Sequence, residues 1–213
     1  MATKQGRKPR SLAQVEAVRA NIVMHALQLF QTEGYSAISM RRLAKEVGCA
    51  PMTIYAHFDG KINILQHLWA VVLDAVFDDI KFKLDHIGAP NERLKIASQS
   101  FVDYWVNYPD HFRLVFMSSD KSRPDVDSFI KNKSTLAHFK YFSGLVMTVL
   151  NQRHSPTISQ IKIQSDMLIG GLIGMAFCRN TIGDYPWADV NQLIDSLLFA
   201  FGVKPKIKTI AKS

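Results

Sequence analysis

The stretch Ser39 to Lys61, SMRRLAKEVGCAPMTIYAHFDGK, gathers cationic, hydroxyl and imidazole side chains within 23 positions. Such groups hold phosphate and base edges, which is binding chemistry rather than bond-breaking chemistry. Support for catalysis is weaker. The histidines His25, His57, His67, His86, His111, His138 and His154 form no HExxH or comparable metal spacing, and there is no nucleophile elbow or phosphate-binding glycine loop. Asp103 and His111 stand eight positions apart with Pro109 between them, a poor acid–base pairing. The expectation is a binding protein, not an enzyme, with no cofactor and no metal.

Two short helices around a glycine turn are what must position these groups. Ser39 can cap the first, because its hydroxyl can accept from a backbone N–H that the helix leaves unpaired. That helix is expected over 40–47. Leu43, Ala44 and Val47 share its inner side, and Ala44 is small enough for a second helix to cross closely. Gly48 tolerates the positive φ that ends a helix. The run Ala50 to His57 then reads as a helix able to enter a major groove with its N-terminal residues nearest the bases. The unit is a helix-turn-helix.

Charge agrees with that assignment. Residues 1–61 hold 9 Lys or Arg against 4 Asp or Glu, and residues 204–213 hold 4 Lys and no acid, while the residues between are close to neutral. A basic first quarter on a neutral body fits phosphate binding by one domain, since each neutralised phosphate releases counterions. Cys49 and Cys178 are 129 positions apart with no CxxC, which suggests neither a zinc knuckle nor a disulfide framework, and Cys49 reads as a small apolar turn residue. The longest nonpolar run, Met167 to Cys178, is 12 residues against the roughly 20 of a spanning helix, and the N-terminus lacks the apolar core of a signal peptide. A cytoplasmic protein with no membrane segment is expected.

Residues Ala26 to Leu65, ALQLFQTEGYSAISMRRLAKEVGCAPMTIYAHFDGKINIL, resemble the DNA-binding domain of the TetR family of bacterial transcriptional regulators. The features that carry the resemblance are Gly34-Tyr35, the Ala44 to Gly48 step, the Thr53-Ile54-Tyr55 core of the recognition helix, and Phe58 followed three positions later by Lys61. A first helix near Leu12 to Glu33 would present Val15, Val18, Ile22, Ala26 and Leu29 or Phe30 along one stripe. The resemblance implies that Arg41 meets a phosphate or base edge, that Pro51, Met52 and Thr53 read sequence largely by apolar contact, and that Tyr55, His57 and Lys61 meet phosphate. Ile54 and Phe58 are expected in the core, and Arg42 turned away from DNA. The arm carrying Lys4, Arg7, Lys8 and Arg10 either enters the minor groove or is a solubilising tail.

Beyond Lys61 the pattern stays helical, with helices expected over 59–86, 91–107, 109–117, 125–152, 155–181 and 185–202 and a loop over 118–124. The whole is an all-α, TetR-like fold of about nine helices. Its expected domains are a basic arm (1–11), a helix-turn-helix domain (12–60), an effector-binding and dimerisation domain (61–203) and a basic tail (204–213). Glycines 170, 171 and 174 each cost a helix roughly 1 kcal/mol relative to alanine, which suggests that another backbone approaches there. With Leu193, Leu197 and Phe201 they form the expected homodimer face. Phe101, Tyr104, Trp105 and Tyr108 make an aromatic stripe, and with Phe112, Phe116, Phe139 and Phe142 they are candidates for a pocket holding an apolar or aromatic effector, with Asp103 or a tyrosine orienting it. The resemblance implies a twofold dimer on an inverted-repeat DNA operator, released by that effector, with helix four as the lever. An activator and a helical protein that binds DNA without sequence choice are the alternatives.

Overall fold

The structure, a computed structural model, describes residues 11–117, 133–153 and 155–203. The expected arm and tail, the loop over 118–124 and the start of the helix expected from 125 lie outside these. Nine α-helices and no strand occur among the described residues: α1 (Leu12–Glu33), α2 (Met40–Val47), α3 (Pro51–Tyr55), α4 (Lys61–Leu84), α5 (Pro90–Asn107), α6 (Pro109–Phe116), α7 (Lys133–Leu150), α8 (Ile158–Thr181) and α9 (Val190–Phe199). The fold is all-α. Two compact units are present, one taking in the described residues to Trp69 and the other those from Ala70 onward.

Local chemistry sets the ends of the early helices. The Ser11 hydroxyl accepts from Gln14 N–H while the Gln14 side chain accepts from Ser11 N–H, a reciprocal cap that satisfies two otherwise orphaned donors. Gly34 ends α1, and the short 3-10 turn Tyr35–Ala37 leads to Ser39, whose Oγ accepts from Arg42 N–H at 3.2 Å. Gly48 ends α2 in the left-handed region at φ 74°, which only glycine adopts without strain. The α1 stripe is buried at Ile22, Val23, Ala26, Leu29 and Phe30, but Val15 and Val18 are only half-buried.

The recognition helix is five residues long, not eight. Ala56 N–H bonds to Met52, and His57 and Phe58 N–H both bond to Ile54, so the chain tightens into a turn that drives Phe58 into the core. The last helix also starts later than expected. Tyr185 and Trp187 form their own aromatic turn, with Trp187 Nε1 donating to Ile182 O at 3.0 Å, and Asp189 rather than Pro186 caps the helix by accepting from Asn191 and Gln192 N–H. Helix α4 runs over Lys61–Leu84 where 59–86 was expected. Arg93 of α5 donates to the carbonyls of Leu84 and Ile87, both at 2.8 Å, and so closes its end.

The second unit is organised around aromatic side chains. Phe77, Phe101, Trp105, Phe112 and Phe142 are buried and meet mostly edge to face, the arrangement ring quadrupoles favour. Each such burial contributes ~2–3 kcal/mol of hydrophobic free energy. Helix α8 packs Leu168, Leu172 and Ala176 inward. By length and composition alone α8 is apolar enough to cross a membrane, with a mean hydropathy of 1.3 over its most apolar 18 residues, because scattered polar residues interrupt the run without lowering the average far. Only 22% of that window is buried, so one chain leaves much of an apolar helix uncovered.

Candidate nucleic-acid interface

Helices α2 and α3 cross over Leu43, Ala44 and Ile54, all at or near complete burial, and Ala44 supplies the small contact point. Ala44 O also accepts from Cys49 N–H at 2.9 Å, so the turn is fastened to the same position. With Ile54 inward, α3 must turn its other side out. Met52 is 75% and Tyr55 49% exposed, Pro51 is exposed, and Thr53 and His57 are half-buried. Pro51 opens the helix, where its missing N–H costs nothing. Arg41 is exposed on α2. Arg42 is held between Glu33 at 2.7 Å and Glu46 at 3.1 Å, which ties α2 to the end of α1 and occupies its charge within the fold.

Lys61 begins α4, and its position has a feature invisible in the sequence. Its Nζ donates to Tyr35 O at 3.0 Å and lies 3.5 Å from the centre of the Tyr35 ring, a hydrogen bond and a cation–π contact on one ammonium. Gly34-Tyr35 and Lys61, 26 positions apart, are thus one structural element.

A second missed link joins α1 to α4. Arg19 NH2 donates to His67 Nε2 at 2.8 Å, with Phe58 beneath the guanidinium at 4.8 Å and edge-on to the imidazole at 5.3 Å. Burial first, then Arg19, hold the His67 ring below its ordinary value of 6.5, against the opposing pull of Glu16. The folded ring therefore takes a proton less readily than the unfolded one. Unfolded chains bind more protons as pH falls below about 6.5, so folding stability falls with them, and nothing is lost above that pH. Thermal melts at about pH 8 and about pH 5.5 are expected to show the loss, and His67→Gln is expected to shrink the difference.

The candidate effector residues separate into two groups. Phe101, Trp105, Phe112 and Phe142 are 0–5% exposed and packed ring on ring, with Phe101 at 5.8 Å from Trp105 and 5.5 Å from Phe142, so they fill the core instead of walling an open pocket. Phe116 and Phe139 are half-buried, Phe116 lying 5.1 Å from Trp105. Tyr104 and Tyr108 turn the other way, into a cleft. Helical spacing identified the aromatic face but not what it meets.

The expected dimer residues divide as well. A Cβ on Gly170 or Gly174 would meet nothing within 4 Å, whereas one on Gly171 would lie 2.8 Å from Leu197 Cδ2 of the same chain. The close approach at Gly171 is therefore internal. Phe201 is buried at 3% within its own chain, and Leu193 and Leu197 are half-buried. The exposed apolar stripe on α8 runs instead through Ile163, Met167, Gly170, Gly174 and Phe177, at successive spacings of 4, 3, 4 and 3.

Comparison with known proteins agrees with this arrangement. Residues 22–68 match the family model described as bacterial regulatory proteins, tetR family. The transcriptional activator FasR of Mycolicibacterium smegmatis is 23% identical over 113 residues, 53% of this chain and 52% of that protein. The chain spans about half the length, or less, of the curated relatives it matches. Among solved structures, the fatty acid degradation regulator FadR from Bacillus halodurans superposes with a TM-score of 0.65 at 17% identity, over 91% of this chain and 96% of that one. FadR from Bacillus subtilis, solved in complex with stearoyl-CoA, gives 0.65 at 16% identity over 85% and 96%. The helix-turn-helix at residues 40–55 thus falls inside the stretch that is similar to bacterial regulatory proteins of the tetR family, and it is carried on an all-α fold shared with these solved regulators over most of its length.

Proposed function

We propose that the protein is a sequence-specific transcriptional regulator that acts as a homodimer on an inverted-repeat operator and is released from it by a small molecule. The observation that carries the reading is α3, whose Ile54 is fully buried while Met52 and Tyr55 stand exposed on the other side. An anchored helix with an outward apolar and phenolic face is suited to a groove. In this reading Pro51, Met52 and Thr53 meet base edges, chiefly thymine methyl groups, and Arg41, Tyr55, His57 and Lys61 meet phosphate or, for Arg41, a base edge. The partner copy covers the α8 stripe from Ile163 to Phe177, which also accounts for an apolar helix left largely bare in one chain.

The sign of regulation has two readings. Release by a ligand makes a repressor, and the solved FadR complex with stearoyl-CoA is the precedent for a ligand-bound relative. The similarity to FasR, named an activator, favours the second. The test is selection of purified protein against a random duplex pool, followed by anisotropy of the winners across salt concentrations. An enriched inverted repeat is expected; no enrichment, with binding that vanishes at moderate salt, sinks the sequence-specific reading.

A further inference from the structure

Between α4 and α5 lies a cleft of about 260 Å³ lined by Asp79, Lys83, Asp103, Tyr104, Asn107 and Tyr108. Its charges do not cancel. Lys83 Nζ donates to Asp79 Oδ2 at 2.7 Å and the two neutralise each other. Asp103 has no hydrogen bond or ion pair among the described residues. Burial pushes its carboxyl up from the ordinary value, with Lys83 opposing and Asp189 adding. An ionised carboxylate there is short of a counter-charge.

The aromatic wall is held rigid and uncharged. The Tyr104 hydroxyl and His111 Nδ1 are 2.9 Å apart. Burial raises the phenol to about 12 and lowers the imidazole, so both are neutral near pH 7 and share one hydrogen bond. The Tyr108 ring lies 4.7 Å from Tyr104 and stacks on His111 at 5.5 Å. Two aromatic rings thus line the same cleft as one uncompensated carboxylate, and aromatic rings attract cations.

We infer that this cleft binds a small organic monocation, an ammonium on Asp103 carrying a flat apolar group against Tyr104 and Tyr108. A divalent metal is poorly served, since it takes six or more oxygens, and no group of three or more His, Cys, Asp or Glu among the described residues could hold one. Anions are refused by the net charge. A second positive charge on the ligand would meet Lys83. The volume lies below the roughly 300–1,000 Å³ of drug-sized sites, which limits the ligand to a compact one. This names the charge of the proposed releasing molecule, and it rests on the ligand-relieved reading only for its regulatory consequence.

The test is calorimetry on the full chain with 2-phenylethylammonium and with 3-phenylpropionate, which has a similar skeleton and the opposite charge. The ammonium is expected to bind saturably and the carboxylate not at all. Asp103→Asn is expected to weaken the ammonium about tenfold or more without altering operator affinity in its absence, and Tyr108→Ala to weaken it further. Equal binding of the two probes, no saturable binding of the ammonium up to about 10 mM, or unchanged affinity in Asp103→Asn overturns the cleft while leaving operator selection untouched. Saturation that leaves operator affinity unchanged overturns ligand release and not the cleft.

Discussion

Gly174→Arg is expected to give a folded monomer that has lost its operator. Nothing lies within 4 Å of a Cβ at this position, so the chain itself raises no objection to the side chain. Arginine is also a better helix former than glycine by roughly 0.8–1 kcal/mol, so the single chain should melt no lower. The penalty falls on the pair. Gly174 stands between Gly170 and Phe177 on the α8 stripe, where a partner would bury an unpaired guanidinium on each side of a twofold axis. With several kcal/mol lost per buried charge, the dimer constant should weaken by about three powers of ten or more. Sedimentation would read the mass, and anisotropy the loss of DNA affinity that follows when one recognition helix must hold alone. Gly171→Ala is the contrast, because its Cβ would meet only the tip of the Leu197 side chain of the same chain, so its effect falls on the melting temperature of the single chain and leaves the dimer constant unchanged. A Gly174→Arg protein that remains dimeric at micromolar concentration would place the partner elsewhere.

Lys61→Ala should strike twice. Losing the proposed phosphate contact would lower the slope of log affinity against log salt by about one and weaken binding to all sequences alike. Losing the bond to Tyr35 O and the contact with its ring removes a clasp between the turn after α1 and the start of α4, at about 1 kcal/mol or more of stability. Melting and salt titration on the same variant separate the two. Lys61→Met keeps much of the stem and removes the charge, so it should lose the salt term and part of the clasp. An unchanged salt slope in both variants would remove Lys61 from the proposed interface.

How far residues alone could be read follows from the distance over which each feature is encoded. Ser39 and Gly48 bound α2 at the expected residues because caps act within four positions. Ile54 and Phe58, four positions apart, went to the core as expected. That same spacing of four concealed the end of α3, since it suits a continuing helix as well as a turn that returns Phe58 inward. The joins Lys61 to Tyr35 and Arg19 to His67 span 26 and 48 positions and leave no local trace. Phe101 and Tyr104 show the same limit, for their period of three defines a helix side, while only packing decides that one fills the core and the other lines a cleft. Asp79, Lys83 and Asn107 carried no signal until α4 and α5 lay side by side.

The division of labour inside α3 bears on how such a protein changes over generations. Ile54 answers to the fold, whereas Pro51 and Met52 are exposed and their side chains enter no hydrogen bond or ion pair within the unit. Substitutions at Met52 can therefore accumulate without a stability toll, and if Met52 reads bases as proposed, a duplicated copy of the gene is free to drift toward a new target site in single steps, each intermediate still folding.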